Sequence, residues 1–269
     1  MRKYTILHAP LLSFFSKSLY QDVARNWRGT GLLYLLVLLA ACWAALAFKL
    51  YAGIATFARA TRPLAEKLPP ITIRQGVAEV SEPQPYTIHD PRTGRPAIII
   101  DTTGQVTALE DTGATVLLTR TRLIPRNGEA SEIALSRLPD FYVDGPIATK
   151  WLDWARRWLA LTAYPFALLF SYLYRILQAL LYAAIGLAFA AIVRGELSFQ
   201  AAMRLAVVAT TPAIILNTIV LLIGLTIPFW WPICFVMAMG YLYLGVKATF
   251  EPTGGGIPTS PDIPTFSQQ

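Results

Sequence analysis

The sequence predicts a membrane α-helical bundle, with four spans preferred, and an inserted small extracytoplasmic domain that is antiparallel and β-rich. The 269 residues are 55% hydrophobic and only 14% charged, whereas soluble domains carry about 25% charged residues. Long apolar runs occupy both ends of the chain, as helices that cross about 30 Å of hydrocarbon require. Between these runs, short β-type segments alternate with turn residues, which is typical of a small sheet domain.

Residues 1–30 predict a cytoplasmic amphipathic N-terminal helix. Apolar residues recur at every fourth position and define one helix face. They are Leu11, Phe15, Leu19, Val23 and Trp27. Such a helix either lies on the membrane surface, attracted by anionic lipid, or packs on the protein's own spans, and the sequence leaves both arrangements open.

Residues 31–53 predict the first transmembrane helix, because a span needs about 20 apolar residues. The apolar run starts about thirty residues into the chain and is longer than the core of a signal peptide, so we expect an uncleaved anchor. Residues 54–150 then predict the extracytoplasmic β-rich domain. It begins with a short helical stalk that Pro69 and Pro70 stop.

The β-rich domain is predicted from seven short runs, with a short helix near Glu129–Arg137 closing it. Turn residues such as Gly and Asn separate several of these runs, which favours an antiparallel meander. The candidate strands are Ile71–Arg74, Val77–Val80, Tyr86–His89, Ala97–Asp101, Val106–Glu110, Val116–Thr121 and Leu123–Ile124.

Residues 151–193 predict a second, long transmembrane helix or a hairpin. Trp151, Trp154 and Trp158 lie at i, i+3 and i+7, and Trp is enriched at membrane interfaces, so they are candidate interfacial anchors. The apolar run that follows would extend about 52 Å as one helix, which exceeds one bilayer core. Either one long helix projects from the membrane, or two short helices turn near Arg175.

The remaining segments are a cytoplasmic link at 194–204, two transmembrane helices at 205–247 and a Pro/Gly-rich tail at 248–269 that we expect to be disordered. Trp27, Trp230 and Trp231 complete the predicted interfacial anchors. Positive residues favour the cytoplasmic side, and the N-terminal 53 residues hold six Lys/Arg against one acid. The sequence therefore predicts a multi-pass protein of the bacterial inner (cytoplasmic) membrane, with a cytoplasmic N-terminus.

The same charge rule favours four spans over five. Four spans place three basic residues on the cytoplasmic side, namely Arg194, Arg204 and Lys247. Nucleic acid is not an expected partner, because residues 54–150 hold eleven charges of each sign and lack the clustered bases of a phosphate-binding surface. The expected partners are the lipid bilayer and a membrane or envelope protein, and the oligomeric state stays open.

The stretch "DTTGQVTALEDTGAT" at 101–115 contains a string typical of retroviral aspartic proteases, at Asp111. Such enzymes need two carboxylates about 3 Å apart that share a proton. A strand between Asp101 and Asp111 would separate them by about 20 Å. A homodimer could instead pair two copies of Asp111, but such enzymes have apolar residues directly before the Asp, and here that residue is the acidic Glu110. We therefore interpret both Asp residues as turn residues.

No metal or cofactor site is predicted. Cys42 and Cys234 both lie in apolar runs, and the two histidines stand apart from them. The only candidate intramembrane polar site consists of Arg175, Thr210, Thr211 and Asn217. A charge at the centre of the bilayer costs at least about 2.5–3.5 kcal/mol and suggests a functional site, while hydrogen bonding between helices is the alternative role for such polar residues.

Seven motifs follow one another along the chain: "FFSKSLYQDV" (Phe14–Val23), "GLLYLL" (Gly31–Leu36), "LPPITIRQG" (Leu68–Gly76), "AIIIDTTG" (Ala97–Gly104), "LLTRTRL" (Leu117–Leu123), "ELSFQAAMRLAVVATTPAIIL" (Glu196–Leu216) and "YLYLGVK" (Tyr241–Lys247). Together and in this order they resemble a bacterial integral-membrane family that is classed as a domain of unknown function and is distantly akin to the Yip-type membrane proteins. The resemblance covers most of the chain except the tail. It implies an extracytoplasmic β-domain after the first span, and it implies no activity and no catalytic residues.

We therefore expect a non-enzymatic inner-membrane accessory or scaffold protein that presents its β-domain to an envelope or membrane-complex partner. Two alternatives belong to other classes. One is a channel or carrier with an anion-preferring path near Arg175. The other is a membrane-tethered aspartic protease with Asp111 as its catalyst.

Overall fold

A computed structural model describes residues 8–109, 112–126 and 132–251. The chain divides into two compact units. We call the unit formed by Met1–Ala44 and Ala167–Gln269 the helical unit, and the unit formed by Ala45–Phe166 the sheet unit. The predicted disordered tail at 248–269 is corrected at its start, because Ala248–Phe250 continue the last helix. Its residues 252–269, the turn at 127–128 and the two residues Glu110 and Asp111 lie outside the described residues.

Seven α-helices follow one another along the described part of the chain. They are α1 (Ala9–Leu12), α2 (Lys17–Asn26), α3 (Leu32–Ala65), α4 (Gly145–Trp154), α5 (Ala160–Ile192), α6 (Phe199–Ile223) and α7 (Trp230–Phe250). A π-helical turn, Ala155–Leu159, joins α4 to α5.

Four helical segments are long and apolar enough to cross a membrane: α3, the continuous segment Gly145–Ile192, α6 and α7. The prediction of four such helices is confirmed for the described residues. The hairpin alternative is wrong, because the helix passes through Arg175 without a break. Between Pro165 and Gly186, α5 contains no Gly, Pro, Asn or Asp, so the sequence around Arg175 lacks these turn-forming residues.

The predicted stalk is not a separate element. α3 has 34 residues and contains both the predicted first span and the predicted stalk. Its last turn includes Pro63, and the helix ends at Ala65, just before Pro69 and Pro70. Since proline lacks an N–H group and disfavours a helical residue before it, this pair prevents the helix from continuing.

Eight strands form two sheets in the described part of the sheet unit. The three-stranded sheet has the order β2-β1-β8, and the five-stranded sheet has the order β3-β4-β5-β6-β7. The strands are β1 (Ile71–Arg74), β2 (Val77–Val80), β3 (Tyr86–His89), β4 (Pro96–Asp101), β5 (Val116–Thr119), β6 (Arg122–Pro125), β7 (Ile133–Ala134) and β8 (Phe141–Val143).

The prediction of a wholly antiparallel domain is wrong, because β4 and β5 are parallel, with Ile98 opposite Val116. A parallel pair cannot be joined by a tight hairpin and needs a crossover connection. The described residues 102–109 and 112–115 belong to that crossover. The predicted strand at 106–110 is therefore wrong over 106–109, and residue 110 lies outside the described residues.

The predicted closing helix near Glu129–Arg137 is also corrected. The structure has β7 at Ile133–Ala134 and then a 3-10 turn at Leu135–Arg137, while residues 129–131 lie outside the described range. Leu135 is fully buried. A 3-10 turn commonly serves as a short connector, and this one carries Leu135 into the cluster formed by the strands.

The five-stranded sheet is covered on both faces. Ile100 and Leu118 pack into one hydrophobic cluster with Ile71 and Leu135. Their neighbours on the same strands, Ile99 and Leu117, face the other way and pack with Leu109 and Ala114 of the crossover. Successive strand residues point to opposite faces, so the crossover acts as the cover of the second face.

The core of the helical unit surrounds α6, whose residues are buried from Ala201 to Ile214. α2 packs against α6 and α7 and buries Leu19 and Val23. The chain bends before α2, where the Ser16 hydroxyl accepts a hydrogen bond from the Leu19 N–H and begins a new helix. Of the two predicted arrangements for the N-terminal segment, α2 adopts the one that packs on the protein's own helices.

The bend also divides the predicted apolar stripe. Leu11 and Phe15 precede α2 and are 72% and 85% exposed. Trp27, predicted as an interfacial anchor, is instead buried, with its ring edge-on to Tyr34 at 5.6 Å between centroids. Its side chain therefore contacts the protein and not lipid, and this part of the prediction is corrected.

Candidate functional site in the helical unit

A cavity of about 250 Å³ lies between α5, α6 and α7. Three of the four predicted intramembrane polar residues line it: Arg175, Thr210 and Asn217. The other lining residues are Tyr174, Gln178, Tyr182, Ala213, Trp230, Trp231, Cys234, Phe235 and Ala238. We call this space the Arg175 cavity.

Arg175 belongs to a chain of hydrogen bonds along one face of α5. Its Nη1 donates to Gln178 Oε1 at 2.5 Å, and Gln178 Nε2 donates to the Tyr182 hydroxyl at 2.9 Å. Residues three and four apart on a helix are neighbours, so the spacing of these side chains aligns them. The guanidinium carbon also lies 5.7 Å from the centroid of the Tyr174 ring, within the range of a cation–π contact.

Asn217 joins the ends of α6 and α7. Its Oδ1 accepts a hydrogen bond from Trp230 Nε1 at 3.0 Å. The Thr210 hydroxyl donates to the Val207 carbonyl at 2.8 Å, so it is already satisfied within its own helix. The amide nitrogen of Asn217 and the guanidinium of Arg175 both keep N–H groups that can donate into the cavity.

Thr211, the fourth predicted residue, does not line the cavity. Its hydroxyl lies 3.1 Å from the Tyr34 hydroxyl, and either group can donate. Both side chains are buried in the core of the helical unit. Thr211 thus has the role that the alternative interpretation gave it, a hydrogen bond between two helices.

Within the part of the chain that the structure describes, the charge of Arg175 has no acidic neighbour in the cavity. No Asp or Glu is among the lining residues, and none occurs in α5, α6 or α7. None of the ion pairs found among the described residues includes Arg175. The cavity therefore combines a positive charge with hydrogen-bond donors, which is the chemistry that binds an anionic group.

Gln178 and Tyr182 were not predicted as site residues. They follow Arg175 at i+3 and i+7, and this spacing places all three on one helix face, so the sequence contained the signal. Cys234 and Phe235 were also missed. No pattern in the sequence could have found these two, because they come from α7 and reach the cavity only through packing.

The predicted interfacial tryptophans differ in exposure. Trp151, Trp154 and Trp158 are 55%, 58% and 43% exposed, and Trp231 is 72% exposed. Trp230 is half-buried, in keeping with its bond to Asn217. The four exposed tryptophans have the accessible side chains that contact with the membrane interface requires. Their role as interfacial anchors stays a prediction.

The motif at 101–115 begins at the last residue of β4, Asp101, and its described residues from 102 onward belong to the crossover of the sheet unit. The buried Asp101 carboxylate accepts hydrogen bonds from the Thr103 N–H at 2.8 Å, from the Thr103 hydroxyl and from the Val106 N–H. Burial acts to raise the pKa of Asp101, but these hydrogen bonds outweigh it and hold the pKa below its usual range.

Asp101 is therefore held as an anion that organises the loop. At the other end of the crossover, Arg126 donates to the carbonyls of Ala114 and Leu109. Asp111, the proposed catalyst of the protease alternative, and Glu110 before it lie outside the described residues. Among the described residues, no cluster of three or more His, Cys, Asp or Glu side chains is placed to hold a metal ion.

Comparison with known proteins identifies a family for this chain. The model of a family described as "Protein of unknown function (DUF1189)" matches residues 9–246. Neither the search of the curated proteins nor the search of the solved structures found a match. The match covers most of the chain, as does the resemblance seen in the sequence, and the chain belongs to the DUF1189 family of proteins of unknown function.

Proposed function

We propose that the protein is a non-enzymatic accessory or scaffold protein of the bacterial inner membrane that presents the sheet unit to an envelope or membrane-complex partner. In this arrangement the N-terminus lies in the cytoplasm and residues 54–150 lie outside it. The observation that carries the proposal is the bracing of α3 against α4 within the sheet unit, where the chain enters and leaves the sheets.

The bracing consists of backbone and side-chain contacts. The Gly145 N–H donates to the Leu68 carbonyl at 3.2 Å. Arg62 contacts Asp153 at 3.2 Å and Glu66 at 3.1 Å. The backbones are so close that a Cβ at Gly145 would lie 2.8 Å from the Glu66 carbonyl oxygen. The two points where the chain enters and leaves the sheets are thus fixed to α3 and α4. Because the sheets are already held in place, less conformational freedom is lost when they bind a partner.

The crossover supplies a surface for such a partner. Its two ends are pinned by Asp101 and Arg126, while Gln105 and Thr107 are exposed. Binding residues are commonly found on loops that a rigid scaffold positions. A polar surface held in this way suits a partner that binds through hydrogen bonds.

A pull-down of the full chain in mild detergent, followed by mass spectrometry, tests the proposal. We expect the same partner at several expression levels. The double variant Gln105→Lys/Thr107→Lys should lose it, because two added charges disrupt a polar contact surface. The control Ser81→Lys/His89→Lys adds the same charge at exposed positions outside the crossover and should retain the partner. Recovery of the protein alone at each level would contradict the proposal.

A channel or carrier with an anion-preferring path is the second candidate, and the Arg175 cavity supports it. Anion flux into liposomes that contain the purified protein should then fall in Arg175→Gln. The control Arg156→Gln changes an exposed arginine of the sheet unit and should leave flux unchanged. Absence of flux, or equal flux in Arg175→Gln and the natural protein, excludes this function.

A further inference from the structure

We propose that the Arg175 cavity binds the phosphate group of an anionic phospholipid. The inference does not depend on the accessory role, since it concerns the helical unit alone. It follows from four properties of the cavity: its uncompensated charge, its free donors, its volume and its exposed aromatic rim.

The charge comes first. A guanidinium among apolar helices is costly in free energy unless an anion or several acceptors offset it. The contacts of Arg175 within the described residues are one amide oxygen of Gln178 and the face of Tyr174, and both are neutral. An anionic ligand would supply the missing opposite charge.

The donors suit a phosphate in particular. A guanidinium presents five N–H groups in a planar fork that matches two oxygens of a phosphate, and a single one is given to Gln178. The Asn217 side chain uses its oxygen to accept from Trp230, which directs its amide nitrogen to other acceptors. Arg175 and Asn217 lie on different helices around the same space, so one phosphate can bridge α5 and α6.

The volume limits what enters. About 250 Å³ corresponds to about eight water molecules at about 30 Å³ each. It lies below the range of about 300–1,000 Å³ that is usual for pockets that enclose a whole drug-sized ligand. A phosphate with part of its headgroup fits, and the acyl chains must remain outside.

The rim favours a lipid over free phosphate. Tyr174, Trp231 and Phe235 all line the cavity and are 53%, 72% and 39% exposed. The Trp231 and Phe235 rings stack, with centroids 6.4 Å apart. An exposed aromatic rim offers acyl chains and glycerol a surface in the way that aromatic belts do, whereas a free phosphate would gain nothing from it.

Lipid binding by the full chain in mild detergent tests the proposal. Native mass spectrometry measures the apparent Kd for short-chain phosphatidylglycerol, phosphatidylcholine and inorganic phosphate. We expect phosphatidylglycerol to bind, and Arg175→Gln to weaken it about tenfold or more, since a charge-assisted pair is lost. Arg175→Lys should fall between the two, because Lys keeps the charge and loses the fork. Arg156→Gln, outside the cavity, should bind like the natural protein.

A second variant guards against a folding defect in Arg175→Gln. Asn217→Asp keeps the oxygen that accepts from Trp230 and adds a negative charge to the cavity, so it should also weaken phosphatidylglycerol binding. Equal affinity in either cavity variant and the natural protein would overturn the proposal. Arg175-dependent binding of inorganic phosphate without binding of phosphatidylglycerol would overturn the assignment to a lipid, as would equal affinity for phosphatidylcholine.

Discussion

At the scale of single residues, Gly245 of α7 lies directly against the Tyr20 ring of α2. A Cβ at this position would lie 2.7 Å from Cδ1 of the Tyr20 ring. Tyr20 is buried, and its hydroxyl donates to the Ser13 carbonyl at 2.8 Å. Burial also raises the pKa of this hydroxyl, so it stays a neutral donor. The ring is therefore fixed at one end by its attachment to α2 and at the other by the hydrogen bond of its hydroxyl, so it cannot move aside.

Gly245→Ala should lower the free energy of unfolding of the protein in detergent by about 1–3 kcal/mol, the usual cost of overpacking a core. Gly240→Ala is the matched control, because Gly240 lies in the same helix and a Cβ there meets no atom within 4 Å. The control should be neutral or more stable by up to about 1 kcal/mol, since alanine favours a helix. Equal effects of the two variants would show that α2 does not pack as described.

Asp101 gives a prediction with a pH dependence. Its folded-state pKa lies below the unfolded value of about 3.9. The ionised carboxylate therefore stabilises the fold above that pH, and the contribution is lost as the pH falls through the folded-state pKa. Asp101→Asn should speed hydrogen exchange in residues 96–126 at neutral pH by an amount equivalent to about 1–3 kcal/mol.

The difference between Asp101→Asn and the natural protein should narrow as the pH falls below about 4, where the natural carboxyl begins to take up its proton. Glu82→Gln removes an exposed carboxylate of the same unit and serves as the control, with exchange rates close to those of the natural protein. A difference that persists unchanged at pH 3 would show that Asp101 does not act through its charge.

At the scale of elements, α2 and the long helices are joined through their terminal carbonyls. Gln21 and Arg25 donate to the carbonyls of Ala248 and Thr249 at the end of α7. Arg204 of α6 donates to the Ala24 carbonyl at 2.8 Å and to the Gly29 carbonyl at 3.1 Å. The last carbonyls of a helix lack partners within it and carry partial negative charge, so these cations and amides stabilise both helix ends.

Arg204→Gln should therefore loosen α2. Removing hydrogen bonds that involve a charged group costs about 1.5–3 kcal/mol, and amide exchange in Lys17–Asn26 should become correspondingly faster. Arg28→Gln removes an exposed arginine of the same region and should leave the exchange of α2 unchanged. If Arg204→Gln leaves it unchanged as well, Arg204 does not hold α2.

At the scale of the whole molecule, the four apolar helical segments predict the side on which the chain ends. An even number of crossings returns the chain to the side of its N-terminus, which the positive-inside rule predicts to be the cytoplasm. A reporter fused after Glu251, at the end of α7, should give a cytoplasmic signal. A reporter inserted in the turn at Gly94 should give an extracytoplasmic one. Signals from the same side would contradict four crossings.

How much the sequence predicts differs between the two units. In the helical unit, composition and length alone predict the apolar helices, because a span must satisfy every backbone group internally. In the sheet unit, the strand segments at β1, β2 and β3 match the predicted ones, since alternation and turn residues are local. The parallel pair of β4 and β5 was missed, because pairing partners are chosen over a distance in the sequence.

The Arg175 cavity shows the same division. Arg175 and Asn217 stand out in the sequence because polar residues are rare in apolar segments. Their meeting around one space, together with Trp231 and Phe235, depends on how α5, α6 and α7 pack. Thr210 and Thr211 are adjacent in the sequence, yet packing sends one to the cavity and the other to Tyr34.

The sequence by itself thus determined the number of apolar helices, the presence of a β-rich insert and the polar residues that stand out among apolar ones. These features depend on local composition and periodicity. Tertiary structure alone decided that α2 packs on α6 and α7, that β4 and β5 are parallel and joined by a crossover, and that Arg175 borders a cavity with no Asp or Glu among its described lining residues. These features depend on contacts between segments far apart in the chain. Burial and hydrogen bonding select among arrangements that the local sequence does not distinguish.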